Sequence, residues 1–273
     1  MDFSKFQTVE VEIAEDIAWV TMNRPDKRNA MSPQMHEEMI AALRRLAEAP
    51  EAKVLVLTGA GEAWSAGQDI QLFFRDLDDK PTEKRRAILA SQEWRWNQLA
   101  HFPKPTIAMV NGFCYGAAFT PLVACDFAIA AEDAKFGLSE INWGILLAGL
   151  VAKVMLDACS YRDAKWYALT GEPFDGKIAA QIRLVNYAVP RERLRDETVK
   201  LAKTLLAKNP QVYKSVKEVM HHLRGMDVEQ ATDNLKAKEM EMRFLDAESG
   251  RAKGMQQFLD DKTYRPGVET YKR

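Results

Sequence analysis

The sequence predicts an α/β fold, and three features predict it. Short, nearly uninterrupted apolar runs at 54–57, 106–110, 127–131 and 184–189 have the length and character of strands covered on both faces. Stretches with apolar residues at helical spacing separate those runs. Beyond Pro190 the strand-like runs disappear and the remaining periodicity is helical.

Val9, Val11 and Ile13 alternate with Glu10 and Glu12, and 14–16 supplies a turn before the apolar-rich 17–22, which predicts a half-buried hairpin. Ser32 followed by Pro33 is a helix start: the hydroxyl can cap free N–H groups, and proline suits the first turn. Met35, Met39, Leu43 and Leu46 then share one face. That helix is expected to end near Ala49 and Pro50. Between 80 and 101 there is no glycine, and Ile88, Leu89, Trp94, Trp96 and Leu99 point to a long helix whose Lys84, Arg85 and Arg86 form a solvated face. Further helices are expected over 192–208, 210–223 and 227–245, so an α/β core at 1–190 should precede a helical region at 191–273.

With 47% hydrophobic and 28% charged residues, the chain is an ordinary folded globular protein rather than a disordered, collagenous or disulfide-scaffold one. Lys plus Arg total 38 against 39 Asp plus Glu, so no long-range field favours nucleic acid or an anionic membrane, and neither is expected as a partner. Cys114, Cys125 and Cys159 form no CxxC pair, which argues against structural zinc and for a reducing compartment. Residues 1–8 hold no apolar targeting stretch, and the uncharged 105–125 is interrupted by Asn111, Gly112, Thr120 and Pro121, so a cytoplasmic location without a membrane span is expected. His36 and His101 fall on predicted helices and His221 and His222 face different ways, giving no metal or nucleophile constellation.

Three segments carry the chemistry. Gly59-Ala60-Gly61 with Ala66-Gly67-Gln68-Asp69 is a small-residue loop after the strand at 54–57; it allows close approach of a ligand and offers backbone N–H groups to an oxygen. Asn111 to Thr120, with Gly116-Ala117-Ala118, again follows a strand and enters a helix whose first N–H groups lack partners. In Phe136-Gly137-Leu138-Ser139-Glu140-Ile141-Asn142-Trp143-Gly144 a single carboxylate sits among apolar neighbours, where desolvation raises its proton affinity towards that of a general acid or base.

Together these segments resemble the crotonase (enoyl-CoA hydratase/isomerase) superfamily. The resemblance begins at Asn23-Arg24-Pro25 and Arg28-Asn29-Ala30-Met31, runs through 61–69, 104–126 and 136–144, and reaches the C-terminal helices. Gly61-Glu62-Ala63-Trp64, Pro121 to Asp126, Ser139 to Trp143 and Gln257-Phe258-Leu259-Asp260-Asp261-Lys262 are most similar to the hydroxycinnamoyl-CoA hydratase-lyases, which convert feruloyl-CoA or p-coumaroyl-CoA to an aromatic aldehyde, such as vanillin, and acetyl-CoA. The resemblance implies a spiral of ββα units followed by a helical region that trimerises, with trimers pairing into hexamers.

It also implies roles. The backbone N–H groups of Gln68 and Ala117 would bind the thioester oxygen and stabilise an enolate, and Glu140 would activate water and later return a proton to the acetyl-CoA enolate. Thr120 falls where many hydratases carry a second glutamate and the hydratase-lyases a small hydroxyl residue. Lys27, Arg28, Ala30, Ala66, Gly67, Asp69 and Ile70 match CoA-contacting positions, and Phe258 and Lys262 match a contact to a neighbouring subunit's CoA. Phe73, Trp143, Ala118 and Lys236 fall on the acyl side. No nicotinamide, flavin or metal is implied, and coenzyme A enters only as part of the substrate.

The chain departs from the pattern at three places. Ala117 and Ala118 replace glycines of the oxyanion turn, Phe73 and the region 234–236 lack the two tyrosines that hold the substrate phenol, and Leu146-Leu147-Ala148 replaces a proline-containing turn. Two other readings stay open: hydration or isomerisation of another bulky enoyl-CoA without cleavage, and acyl-CoA binding without catalysis.

Overall fold

In the computed structural model, which describes residues 3–273, the chain opens with the expected hairpin: β1 (Val9–Ala14) runs antiparallel to β2 (Ile17–Met22). The two turn residues, Glu15 and Asp16, have φ of 51° and 64°, the left-handed pair that a two-residue connection between twisted strands requires. α1 (Pro33–Glu48) starts where expected, with Ser32 Oγ accepting the Met35 N–H at 3.2 Å; Met35, Met39, Leu43 and Leu46 are buried, and so is His36.

The next 130 or so residues follow one rule. β3 (Val54–Gly59), β5 (Thr106–Val110) and β7 (Phe127–Ala131) join the hairpin in a six-stranded sheet of order β1-β2-β3-β5-β7-β10, whereas β4 (Ala63–Ser65), β6 (Phe113–Tyr115) and β8 (Lys135–Gly137) lie side by side in a second sheet of order β4-β6-β8-β9. Each ββ pair thus gives its first strand to one sheet and its second to the other. Helices follow: α2 (Pro81–Gln92), α3 (Phe119–Ala124), and α4 (Val151–Ala158) with α5 (Tyr161–Thr170). β9 (Phe174–Asp175), α6 (Gly176–Gln181) and β10 (Tyr187–Val189) complete the layers. Because β4, β6 and β8 are parallel neighbours, the loops leaving their carboxyl ends lie next to one another.

Three elements differ from the sequence expectation. The run at 184–189 is strand only from Tyr187, because Leu184 and Val185 close the end of α6 through N–H bonds to the Ala179 carbonyl. The long helix at 80–101 is α2 followed by a π-helical turn, Glu93–Gln98. The chain divides into compact units after Lys200 rather than at Pro190. The first turns of α7 (Leu194–Leu206) belong to the core: Leu194 and Thr198 are buried, and the Arg195 guanidinium lies 4.1 Å over the Trp19 ring.

The second unit holds the rest of α7 with α8 (Pro210–Leu223), α9 (Val228–Leu245) and α10 (Gly250–Leu259). Asn209 caps α8 with its Oδ1 and donates from Nδ2 to Asp246 at 2.9 Å and to the Tyr271 hydroxyl at 3.3 Å, drawing the C-terminal tail back onto its own helices. Among the described residues no helix is long and apolar enough to cross a membrane.

Candidate active site

A bridge to Met31 holds the loop after β4. The Met31 N–H donates to the Gly67 carbonyl at 2.8 Å and the Asp69 N–H to the Met31 carbonyl at 3.0 Å, so alternation turns the intervening Gln68 N–H to the opposite side. Asp69 fixes the exit: its Oδ1 accepts the Leu72 N–H at 2.9 Å and its Oδ2 pairs with Arg24 at 2.8 Å, starting the π-helical turn Ile70–Phe74. Gly67 has φ +90°, and a Cβ there would stand 2.7 Å from the Tyr115 carbonyl oxygen and 3.2 Å from the Ala117 nitrogen. The loops after β4 and β6 therefore meet backbone to backbone. Ala117 is the second residue of the short 3₁₀ turn Gly116–Ala118, so its N–H precedes any acceptor within that turn.

Glu140 comes from the loop after β8, in the first turn of the 3₁₀ segment Ser139–Trp143. Its carboxyl group rests on Gly116, where a Cβ would come within 3.0 Å of Oε1 and where φ is +53°. Oε2 is buried and has no hydrogen-bond partner. Burial pushes the carboxyl group above the usual carboxylate range, offset in part by its own backbone N–H. These three loops, with Phe73, Trp143 and Ile145, enclose a cavity of about 340 Å³, and Glu140 is the one carboxylate among the described residues that line it.

From the cavity wall a polar chain runs into the interior. Trp94 Nε1 donates to His36 Nδ1 at 2.8 Å, which leaves His36 Nε2 as the donor to Gln68 Oε1 at 2.9 Å; Gln68 Nε2 then donates to Ser91 Oγ at 3.1 Å. Arg95 Nη2 reaches the same Ser91 Oγ at 2.5 Å, Nε the Ser91 carbonyl at 2.9 Å, and Nη1 the Ala117 carbonyl at 3.0 Å. Burial and the neighbouring Arg95 lower the His36 pKa to about 3, so it is neutral at working pH, and burial lowers the Arg95 pKa to about 10, so it remains a cation. Neither His36, Ser91 nor Arg95 stands out in the sequence as a site residue. Arg95 sits in a π turn, where one extra residue rotates the helix face away from the 3.6-residue repeat.

Of the residues singled out in the sequence, Gln68, Ala117, Glu140, Phe73 and Trp143 line the cavity, as do Ala66, Gly67 and Ile70. Thr120 and Ala118 do not: both are buried behind it, and Thr120 Oγ1 donates to the Gly149 carbonyl at 3.3 Å. Lys27 and Arg28 are exposed at the turn before α1, with the Arg28 guanidinium 4.9 Å over the Phe113 ring, and the Ala30 carbonyl accepts from Arg24 Nη1 at 2.5 Å. Lys236, Phe258 and Lys262 belong to the second unit, where Lys236 is exposed and pairs with Asp233 at 3.5 Å. Among the described residues no group of three or more His, Cys, Asp or Glu is placed to hold a metal ion.

Residues 12–265 match the enoyl-CoA hydratase/isomerase family. The chain belongs to that family. It is 50% identical over 270 residues, 98% of each chain, to a hydroxycinnamoyl-CoA hydratase-lyase of Pseudomonas fluorescens. Its fold is that of an enoyl-CoA hydratase from Bacillus anthracis, with a TM-score of 0.85 at 25% identity over 96% of this chain and 100% of that one. An enoyl-CoA hydratase from Shewanella pealeana superposes with a TM-score of 0.84 at 25% identity, covering 94% and 95% of the two chains. The ββα spiral with C-terminal helices is thus the crotonase fold. In an enoyl-CoA hydratase/isomerase family member the group to be placed is a thioester. At the cavity the Gln68 and Ala117 loops meet backbone to backbone, and the one carboxylate beside them, Glu140, is desolvated.

Proposed function

We propose that the protein hydrates an aryl enoyl-CoA such as feruloyl-CoA or p-coumaroyl-CoA and then cleaves the product to an aromatic aldehyde and acetyl-CoA. The observation that carries this reading is the lone Glu140 carboxylate, its Oε2 buried without a hydrogen-bond partner, beside the meeting point of the Gln68 and Ala117 loops. One carboxylate serves both half-reactions. Glu140 takes a proton from water as the oxygen adds to the β-carbon, the electrons collect as an enolate on the thioester oxygen facing the Gln68 and Ala117 N–H groups, and Glu140 returns the proton to the α-carbon. It then removes the β-hydroxyl proton. The carbon–carbon bond breaks to give the aldehyde and an acetyl-CoA enolate, which Glu140 protonates. Thr120 in place of a second carboxylate, the aromatic Trp143, and the likeness to a hydroxycinnamoyl-CoA hydratase-lyase support the aryl substrate.

The proposal extends to the binding partners. Lys27, Arg28, Ala30, Ala66, Gly67, Asp69 and Ile70 contact CoA, Asp69 through its backbone because its carboxylate is engaged by Arg24, and no cofactor besides CoA takes part. The chain works as a trimer or hexamer in the cytoplasm, with Phe258 and Lys262 reaching a neighbour's CoA and Lys236 facing an acyl group. Supporting assembly, α9 exposes Val228, Met240 and Phe244, the last 89% accessible.

Product analysis tests the reading. With feruloyl-CoA, vanillin and acetyl-CoA should form in equal amounts. Accumulation of the β-hydroxyacyl-CoA alone favours hydration without cleavage, the outcome to which Phe73 points because it lacks a hydroxyl for the phenol.

A further inference from the structure

We propose that Arg95 is the positioning residue of the oxyanion hole: one buried guanidinium ties the Gln68 loop and the Ala117 loop together and places a fixed positive charge beside the thioester oxygen. The proposal rests on the reading that the Gln68 and Ala117 N–H groups bind that oxygen.

Arg95 is 3% exposed, lines the cavity, and forms no ion pair with any carboxylate among the described residues. Buried cations are ordinarily paired, because removing a charge from water without a counter-charge is costly. Here the guanidinium meets two carbonyls and a hydroxyl, which use three of its five N–H donors. Its bonds are also distributed in a telling way. Nη1 holds the Ala117 carbonyl, one peptide beyond the Ala117 N–H. Nη2 holds Ser91 Oγ, which also accepts from the Gln68 side chain, and the far side of Gln68 is held by the neutral His36. Both residues whose N–H groups form the hole are thus anchored to one side chain.

The missing counter-charge is then the enolate. The resting thioester oxygen is neutral, and full negative charge appears only as the α-carbon becomes nucleophilic. A fixed cation in a poorly hydrated cavity therefore favours the transition state more than bound substrate. The predicted effect lies in kcat rather than KM. The π turn gives this placement a structural reason: it carries Arg95 to the cavity while Trp94, its neighbour in sequence, is fully buried and donates to His36.

The experiment compares Arg95→Met, Arg95→Lys and Ser91→Ala with the parent protein, each checked for folding by thermal melting. Two reactions are followed: feruloyl-CoA turnover, and exchange of the acetyl-CoA methyl protons in D2O, which requires only enolate formation. Arg95→Met should lower kcat and the exchange rate about a hundredfold while KM changes less than about threefold. Arg95→Lys, which keeps the charge but not the planar fork, should recover about a tenth of the parent rate. Ser91→Ala, the milder change, should cost about fivefold in both rates. A folded Arg95→Met protein with near-parental rates, a loss confined to KM, or an unaltered Ser91→Ala protein overturns the proposal. If the parent protein exchanges acetyl-CoA protons but leaves feruloyl-CoA intact, the aryl-substrate reading fails, and the Arg95 effect is still decided by the exchange rates.

Discussion

Glu140 occupies a place where its charge is poorly solvated, and the consequences for activity and for stability have opposite signs. Its pKa is raised in the folded chain, so the folded state binds the proton more tightly than the unfolded state does, and the ionised carboxylate lowers stability as pH rises through and above its unfolded value of about 4.3. Glu140→Gln should therefore raise Tm at pH 7 by about 1–3 °C while lowering turnover at least about a thousandfold, measured by thermal melting and product assay. Because the base must be ionised, turnover of the parent protein should fall as pH falls through the raised Glu140 value, above the ordinary carboxylate range. His36 adds no limb to that profile near neutrality: with a pKa of about 3 it stays uncharged, as the bond it accepts from Trp94 requires. Glu140, Gln68 and Ala117, which line the cavity, could be singled out in the sequence because their three short segments resemble those of the family. His36, Ser91 and Arg95 could not, since the polar chain is built from residues 36, 68, 91, 94, 95 and 117, whose proximity no local spacing encodes.

At the scale of elements, the site depends on three adjacent loops approaching to van der Waals distance. Gly67 is the test of this: its left-handed φ is strained for any other residue, and a Cβ would press on the Tyr115 carbonyl and the Ala117 nitrogen. Gly67→Ala should destabilise the chain by about 1–3 kcal/mol in urea unfolding and depress kcat more than tenfold, because separating the two backbones moves the Gln68 and Ala117 donors apart. Elements with strong end signals read well from sequence. The Ser32-Pro33 cap places α1 and the alternating 9–13 places β1. The two π turns, Ile70–Phe74 and Glu93–Gln98, did not read: the first is a single turn leaving the Asp69 loop, and the second inserts one residue into the helical run that continues from α2 without changing its composition. Both turns deliver a cavity residue, Phe73 and Arg95 respectively.

At the scale of the whole molecule, the apolar residues that a monomer leaves in water set the expectation. Val228, Met240 and Phe244 on α9 are among the most exposed large apolar side chains of the second unit, and a trimer would cover such a surface. On the proposed assembly, Phe244→Asp should shift the mass measured by sedimentation velocity towards that of the monomer without lowering the helical signal in circular dichroism. Near-neutral net charge, 38 basic against 39 acidic residues, suits an assembly of like subunits, since no strong mutual repulsion has to be overcome. The α/β class, the hairpin, the strands β3, β5 and β7, the helix α1 and the helices beyond Pro190 followed from sequence alone, because period and capping residues are local properties of the chain, whereas the short strands β4, β6 and β8 and the helices α4, α5 and α6 did not. The tertiary structure decided which side chains surround the cavity. The two-sheet winding aligned the carboxyl ends of β4, β6 and β8, packed Glu140 onto Gly116, withdrew Thr120 and Ala118 from the cavity, and brought a buried arginine to the backbone of Ala117, all of which are matters of distance between segments far apart in the chain.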